Sequence, residues 1–176
     1  MLGLEVVVRP AGILETRKPG EAPVAYAERL AREKALAVPG GLVLGADTIV
    51  LLGKDLLEKP ADTGDALRML RRLQGATHEV ISAVALASDG IVRQATDVTR
   101  VTFRPCDDAL LRAYVATGEP MDKAGAYGIQ GYGAALVERV EGDFFGVMGL
   151  PLRLVLRLME EAGRPYRFEL SKPSAD

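Results

Sequence analysis

The sequence predicts an α/β fold in which a mixed β-sheet is flanked by helices. Apolar strand segments are joined by a strong hairpin signal at Ser88-Asp89-Gly90. Segments of helical period, opened by proline and closed by glycine, lie between and after those strands. Hairpins and helices are interspersed without the strict alternation that a doubly wound sheet requires. At 176 residues, 48% apolar and 26% charged, the chain is most simply one domain with a substantial core.

Leu4-Glu5-Val6-Val7-Val8 reads as a short strand, followed by a Pro/Gly-rich loop to about Glu21. Pro23 suits the first turn of a helix running to about Val38 and stopped by Pro39-Gly40-Gly41. Tyr26, Leu30 and Lys34 share one face of it, so Lys34 continues an apolar stripe. It is either a lysine snorkelling at a helix end or a cation held at the edge of a cleft. Leu42-Val43-Leu44 and Ile49-Val50-Leu51-Leu52 form a nearly continuous apolar strand, broken by Gly45-Ala46-Asp47-Thr48. A carboxylate at Asp47 must be paired, coordinate a cation or open into a cleft, since an unpaired buried charge is too costly.

Gly53-Lys54-Asp55 turns the chain into Leu56-Leu57, and Pro60 holds Lys59 at a strand end or turn. Thr63 and Asp65 are expected to cap a helix from Ala66 to Gln74, closed by Gly75. Strands follow from Val80 to Ala87 and from Ile91 to Phe103. In the second, Val92, Val98 and Val101 are set against Arg93, Asp97 and Arg100, which read as a solvated face. His78 is expected to be structural. A helix from Asp107 to Thr117, stopped by Gly118, leads into Met121–Gly133. That stretch carries four glycines and can aim Asp122, Lys123, Gln130 and its tyrosines at one point. It is either a shaped binding loop or a long solvated connection. Ala134 to Val140 is expected as a strand, Gly142 to Gly146 as a loop, and Pro151 to Glu161 as a helix burying Leu154, Val155, Leu158 and Met159. A last strand from Tyr166 to Leu170 and a polar tail, 171–176, close the chain.

Lys+Arg 22 against Asp+Glu 24 gives no sign of a nucleic-acid partner. Single residues of cysteine (Cys106) and histidine (His78) leave neither a disulfide nor a zinc site of thiolates and imidazoles, and poorly support Ser-His-Asp catalysis. Neither a signal peptide nor a bilayer-spanning apolar run is present, so the expectation is a cytoplasmic protein with no membrane partner. No Walker loop occurs, and Gly128 to Gly133 only approaches a dinucleotide fingerprint before entering a strand. One core-strand carboxylate, two lysines at element ends and a glycine-rich loop suggest a nucleotide phosphate site, where catalysis with Mg²⁺ is mostly positioning and charge neutralisation.

Gly45-Ala46-Asp47-Thr48-Ile49-Val50, Glu58-Lys59-Pro60, Asp122 to Gly131 and Val147-Met148-Gly149-Leu150-Pro151 resemble the Maf family of nucleoside triphosphate pyrophosphatases. The helix text Arg29 to Ala35 matches too, and the likeness runs in order from Leu2 to Leu170. It implies an elongated α/β fold with a mixed sheet and a central cleft, similar to inosine triphosphate pyrophosphatase, as one domain (1–170) of two lobes, usually a homodimer. It further implies hydrolysis of a nucleoside triphosphate to monophosphate and pyrophosphate with a divalent cation, Mg²⁺ or Mn²⁺. On that resemblance Asp47 is the proton acceptor and faces the metal, Lys34 and Lys59 neutralise the triphosphate, and Glu33 is a further metal candidate. Thr48 and Gln130 match the branch similar to dTTP/UTP pyrophosphatases, with Lys123 beside them for substrate binding; the 7-methyl-GTP branch has Gln and Glu there. A glutamine amide both donates and accepts, as the edge of thymine or uracil requires. The family's opening Ser-x-Ser-Pro-Arg-Arg loop has no counterpart in this sequence, and Gly146 stands where the family usually has Asn. Two alternatives to a dTTP/UTP-type enzyme therefore follow: a nucleotide binder without turnover that regulates septum formation, and a ligand-free remnant.

Overall fold

In the computed structural model, which describes residues 2–168, five strands form one open sheet in the order β2-β1-β3-β4-β5. These are β1 (Leu42–Leu52), β2 (Asp55–Leu57), β3 (Thr77–Ser88), β4 (Ile91–Phe103) and β5 (Val137–Glu141), and every neighbouring pair is antiparallel. The β3–β4 hairpin turns at Asp89 and Gly90, with φ of 51° and 78°. Positive φ at both positions matches the right-handed twist of the flanking strands, which is why an Asp-Gly pair stands there.

Helices cover both faces. Helix α1 (Pro23–Ala37) lays Tyr26, Ala27, Leu30, Ala31 and Ala35 on Ile49, Ile81, Ala83 and Ala85. Gly45 permits this approach, because a Cβ there would stand 2.2 Å from the Ala31 carbonyl oxygen and 2.5 Å from the Ala35 nitrogen. On the other face α5 (Leu152–Glu161) packs Leu154, Val155 and Leu158 on Val84, Leu86 and Ala95. Helices α2 (Thr63–Leu73) and α3 (Asp108–Ala116) complete a larger cluster over Val50, Val80, Val101 and Phe103. Each fully buried large apolar side chain contributes about 1.5–3 kcal/mol, so these clusters hold the sheet rigid beneath the site.

The topology leaves one feature that matters for function. Strand β3 pairs with β1 from Leu42 to Leu51, whereas β2 pairs only with Val50 to Leu52. Among the described residues, the other edge of β1 therefore has no strand partner from Leu42 to Ile49.

Several sequence expectations need correction. Leu4–Val8 is not a strand; Val6, Val7 and Val8 are 75%, 79% and 90% exposed and find no ladder partner among the described residues. A β-prone run without a neighbouring strand has nothing to bond to. Helix α2 is capped by Asp62, whose side chain accepts from the Asp65 N–H at 2.8 Å, and starts at Thr63. Asp97 is buried at 5% exposure and Val98 is 48% exposed, which reverses the expectation at these two positions of β4, whereas Val101 is buried and Arg100 exposed as expected. The Arg153 guanidinium, from a distant helix, makes that burial tolerable. Tyr132–Leu136 is a 3-10 segment preceding β5, and the expected loop after Gly142 contains a short helix, α4 (Phe144–Val147), capped by Asp143. Tyr166 to Phe168 carry no strand, while Glu169, Leu170 and the expected tail lie outside the described residues. Among the described residues no helix is long and apolar enough to cross a membrane.

Candidate active site

A cleft of about 570 Å³ opens along the unpartnered edge of β1, walled by α1, the end of β2 and the 122–130 and 147–149 segments. Because the cleft wraps a strand edge, side chains from both faces of β1 reach it, including the neighbours Asp47 and Thr48. Gly45 brings α1 close enough for the Lys34 Nζ to donate to Asp47 Oδ1 at 2.7 Å. The same ammonium lies 2.9 Å from Glu15 Oε1. Thus the apolar stripe of α1 ends in a cation held at the cleft.

Asp47 is 8% exposed. Burial pushes its carboxyl above the usual range, Glu15 adds to the rise, and Lys34 pulls the other way without cancelling it. Burial also penalises the Lys34 ammonium, but the bonds from Asp47 and Glu15 prevail and hold its pKa above that of an ordinary lysine. The result is a lysine fixed as a cation beside a carboxylate with raised basicity. Among the described residues no protein donor reaches Asp47 Oδ2, which leaves that oxygen for water, cation or substrate.

Glu15 has no periodic or spacing signal in the sequence, because it sits in the loop before α1. Its place depends on an arginine on the helix: Arg29 bonds Glu21 at 2.7 Å and the Thr16 carbonyl at 3.0 Å, pinning that loop to α1. The Tyr26 hydroxyl adds contacts of 3.1 Å to the Glu15 carbonyl and 3.3 Å to Glu58 Oε1.

Lys59 leaves the end of β2 into the cleft and makes no salt bridge among the described residues. The glycine-rich stretch is a shaped loop, not a solvated connection. Glu119 accepts from the Tyr132 and Gly133 N–H groups at 2.7 and 2.9 Å and from the Tyr114 hydroxyl at 2.9 Å. That hydroxyl in turn accepts the Gly128 N–H at 3.1 Å. Both ends of Gly128–Gly133 are therefore clamped, with Gln130 presented between them. A Cβ at Gly131 would stand 2.1 Å from Glu119 Oε2, so the glycine is the condition of the clamp. Sequence reasoning missed Glu119 and Tyr114, whose partners are backbone groups that carry no residue-type signal.

Of the expected site residues, Lys34, Asp47, Thr48, Lys59, Lys123 and Gln130 all line this one cleft. Glu33 does not; its carboxylate faces Arg29 at 3.1 and 3.2 Å. Lys123 is paired with Asp122 at 2.6 Å. His78 is 1% exposed, bonds the Tyr127 hydroxyl at 2.8 Å and is held neutral by burial, its pKa lowered to about 4. Among the described residues no three carboxylate, imidazole or thiolate side chains form a ready-made metal cage. One or two carboxylate oxygens facing a phosphate site nevertheless fit a hard cation such as Mg²⁺, which takes its remaining ligands from phosphates and water.

Residues 1–162 match the family model described as Maf-like protein. The chain belongs to the Maf family. Relatives of this Maf chain carry the name dTTP/UTP pyrophosphatase. One from Anaeromyxobacter dehalogenans is 50% identical over 172 residues, covering 96% of this chain and 89% of the relative. Another from Koribacter versatilis is 50% identical over 160 residues, with 89% and 83% covered. A third, from Aquifex aeolicus, is 44% identical over 165 residues, with 92% and 86% covered.

Proposed function

We propose that this Maf chain is a nucleoside triphosphate pyrophosphatase that hydrolyses dTTP and UTP between the α and β phosphates, giving the monophosphate and pyrophosphate. The observation that carries the proposal is the pairing of half-buried Lys34 with buried Asp47 at the cleft edge, with Lys59 and Lys123 on the same cleft. The relatives named dTTP/UTP pyrophosphatase support the choice of substrate.

In this reading Asp47 accepts a proton from the attacking water through Oδ2, while Lys34 holds Oδ1 and fixes the direction of the carboxylate. Raised basicity suits that role, since proton transfer improves as the base's pKa approaches the working pH. Lys59 neutralises charge developing on the phosphates, and Lys123 supports it from the loop. A divalent cation held by Asp47 with Glu15, when bound, supplies charge neutralisation and orients the phosphates. Thr48 and Gln130 face the base. The cytoplasm and a homodimer are the setting that the family likeness favours.

Pyrophosphate release from dTTP, UTP and 7-methyl-GTP with Mg²⁺ tests the proposal. Release from the two pyrimidine nucleotides is expected, abolished by Asp47→Asn. A folded sample that releases nothing from any of them overturns the activity and leaves binding to be measured directly.

A further inference from the structure

Gly128, Gly131 and Gly133 do not owe their places to backbone angles. None of the three has a positive φ, and that of Gly131 is −109°. What each supplies is space, and this chain's own atoms fill that space. A Cβ on Gly131 would overlap Glu119 Oε2, and one on Gly133 would stand 2.7 Å from the Tyr114 hydroxyl. One on Gly128 would stand 2.7 Å from Lys123 Cε. The Gly-x-x-Gly-x-Gly spacing, which in a sequence suggests room for a phosphate, is here the footprint of an internal clamp.

We propose that Glu119 is a positioning residue of the cleft. Through the clamp it holds 128–133 in one shape, so that Gln130 meets the nucleotide without first having to be ordered. The proposal rests on the nucleoside triphosphate pyrophosphatase reading and deepens it. Glu119 itself does not line the cleft; it acts from behind the loop. Its Oε1 accepts from the Tyr114 hydroxyl and the Gly133 N–H, and its Oε2 from the Tyr132 N–H. Only an ionised carboxylate presents acceptors alone at both oxygens. Tyr114 extends the support, giving its one proton to Glu119 while it accepts the Gly128 N–H. Between these fixed ends stand Ile129, which is buried, and Gln130, whose exposed side chain lines the cleft. Without the clamp a stretch this rich in glycine would be free to move, and binding would have to freeze it.

Glu119→Gln keeps the size of the side chain but sets an NH2 group where one oxygen stood, facing a donor. At least one of the three bonds is therefore lost. With no nucleotide present, amide hydrogen exchange over 128–133 is expected to quicken by about tenfold or more, while β1 and β3 keep their protection. With UTP and Mg²⁺, KM is expected to rise by about tenfold, the cost of ordering roughly one residue, and kcat to stay within about threefold. In a Gln130→Ala background the same substitution is expected to change KM by less than about twofold, because Glu119 acts through that side chain. Gly131→Ala is expected to reproduce the Glu119→Gln effect and to add nothing to Glu119→Ala, where the missing carboxylate leaves room for the methyl group.

An unchanged KM in Glu119→Gln, or a rise that is the same with and without Gln130, overturns the inference and leaves the pyrophosphatase reading standing. So does a Gly131→Ala penalty that persists in full without the Glu119 carboxylate, since the glycine would then serve a ligand. A wild type that releases no pyrophosphate from UTP or dTTP removes the reading and the inference together. Should Glu119→Gln fail to fold, Tyr114→Phe drops one hydroxyl from the clamp and carries the same expected and overturning results.

Discussion

Asp47 and Asp97 are both buried in one sheet, at 8% and 5% exposure, yet their surroundings are opposite in kind. Both carboxylate oxygens of Asp97 are occupied: Oδ1 by Arg153 at 2.5 Å and Oδ2 by the Thr99 hydroxyl at 2.7 Å. That arginine also reaches Asp143 at 3.2 Å, and Thr99 accepts the Asp143 N–H at 2.7 Å, so the group closes on itself. Asp47 has Lys34 on one oxygen and the cleft beyond the other. A saturated carboxylate joins elements; one left half-satisfied at a strand edge is available for chemistry. Burial alone does not separate them. What does is whether the second oxygen has been given a donor.

Exchanging the two aspartates' neutral variants is the sharpest way to break this comparison. Asp47→Asn is expected to lower kcat for pyrophosphate release by about 10²–10⁴-fold, the typical worth of a positioned general base, with little change in thermal stability. Asp97→Ala is expected to do the reverse: a loss of about 1–3 kcal/mol in urea unfolding, from the unpaired Thr99 and Asp143 groups, with turnover of the folded fraction retained. The arginine's share of that loss is small, because Arg153 is 62% exposed and solvent screens it. Comparable stability losses in both variants would show that Asp47 is structural.

Lys59→Met is expected to reduce kcat/KM by about 10²-fold, since this lysine has no intramolecular ion pair among the described residues and acts on substrate alone. Its melting temperature should not move; a clear drop would mark it as part of the fold.

His78 gives an effect confined to acid pH and is a third kind of buried group, satisfied at one nitrogen and orphaned at the other. Its folded pKa, lowered by burial from 6.5 to about 4, means that the neutral ring is the form the fold prefers. Stability from this source is fully present above pH 6.5 and is lost as pH falls through about 4, because the unfolded chain binds the proton first. The difference is worth at most about 3 kcal/mol, and His78→Gln should flatten the acid limb of an unfolding-versus-pH curve by that amount. Identical acid limbs in the two proteins would exclude it.

Much of this was legible along the chain. The helix over Pro23–Ala37, the long apolar β1 and the β3–β4 hairpin follow from proline and glycine placement and from apolar runs, which are local properties. So was the oddity of a carboxylate within β1 and of a lysine on an apolar stripe. The family likeness correctly named the family, and its residues fall on one cleft except for Glu33. Asp97 was misread because its partner, Arg153, lies far along the chain, so no window of sequence contains both.

The sequence by itself determined the elements, the charge inventory and which residue types are available for phosphate chemistry, since propensity and periodicity act over a few residues. Only the tertiary structure decided which carboxylate is spent and which is free. It placed Glu15 against Lys34, turned Glu33 towards Arg29 and clamped the glycine loop with Glu119. Each of these depends on a hydrogen-bond partner from another element, and such partners are assigned by packing, not by neighbourhood in the chain.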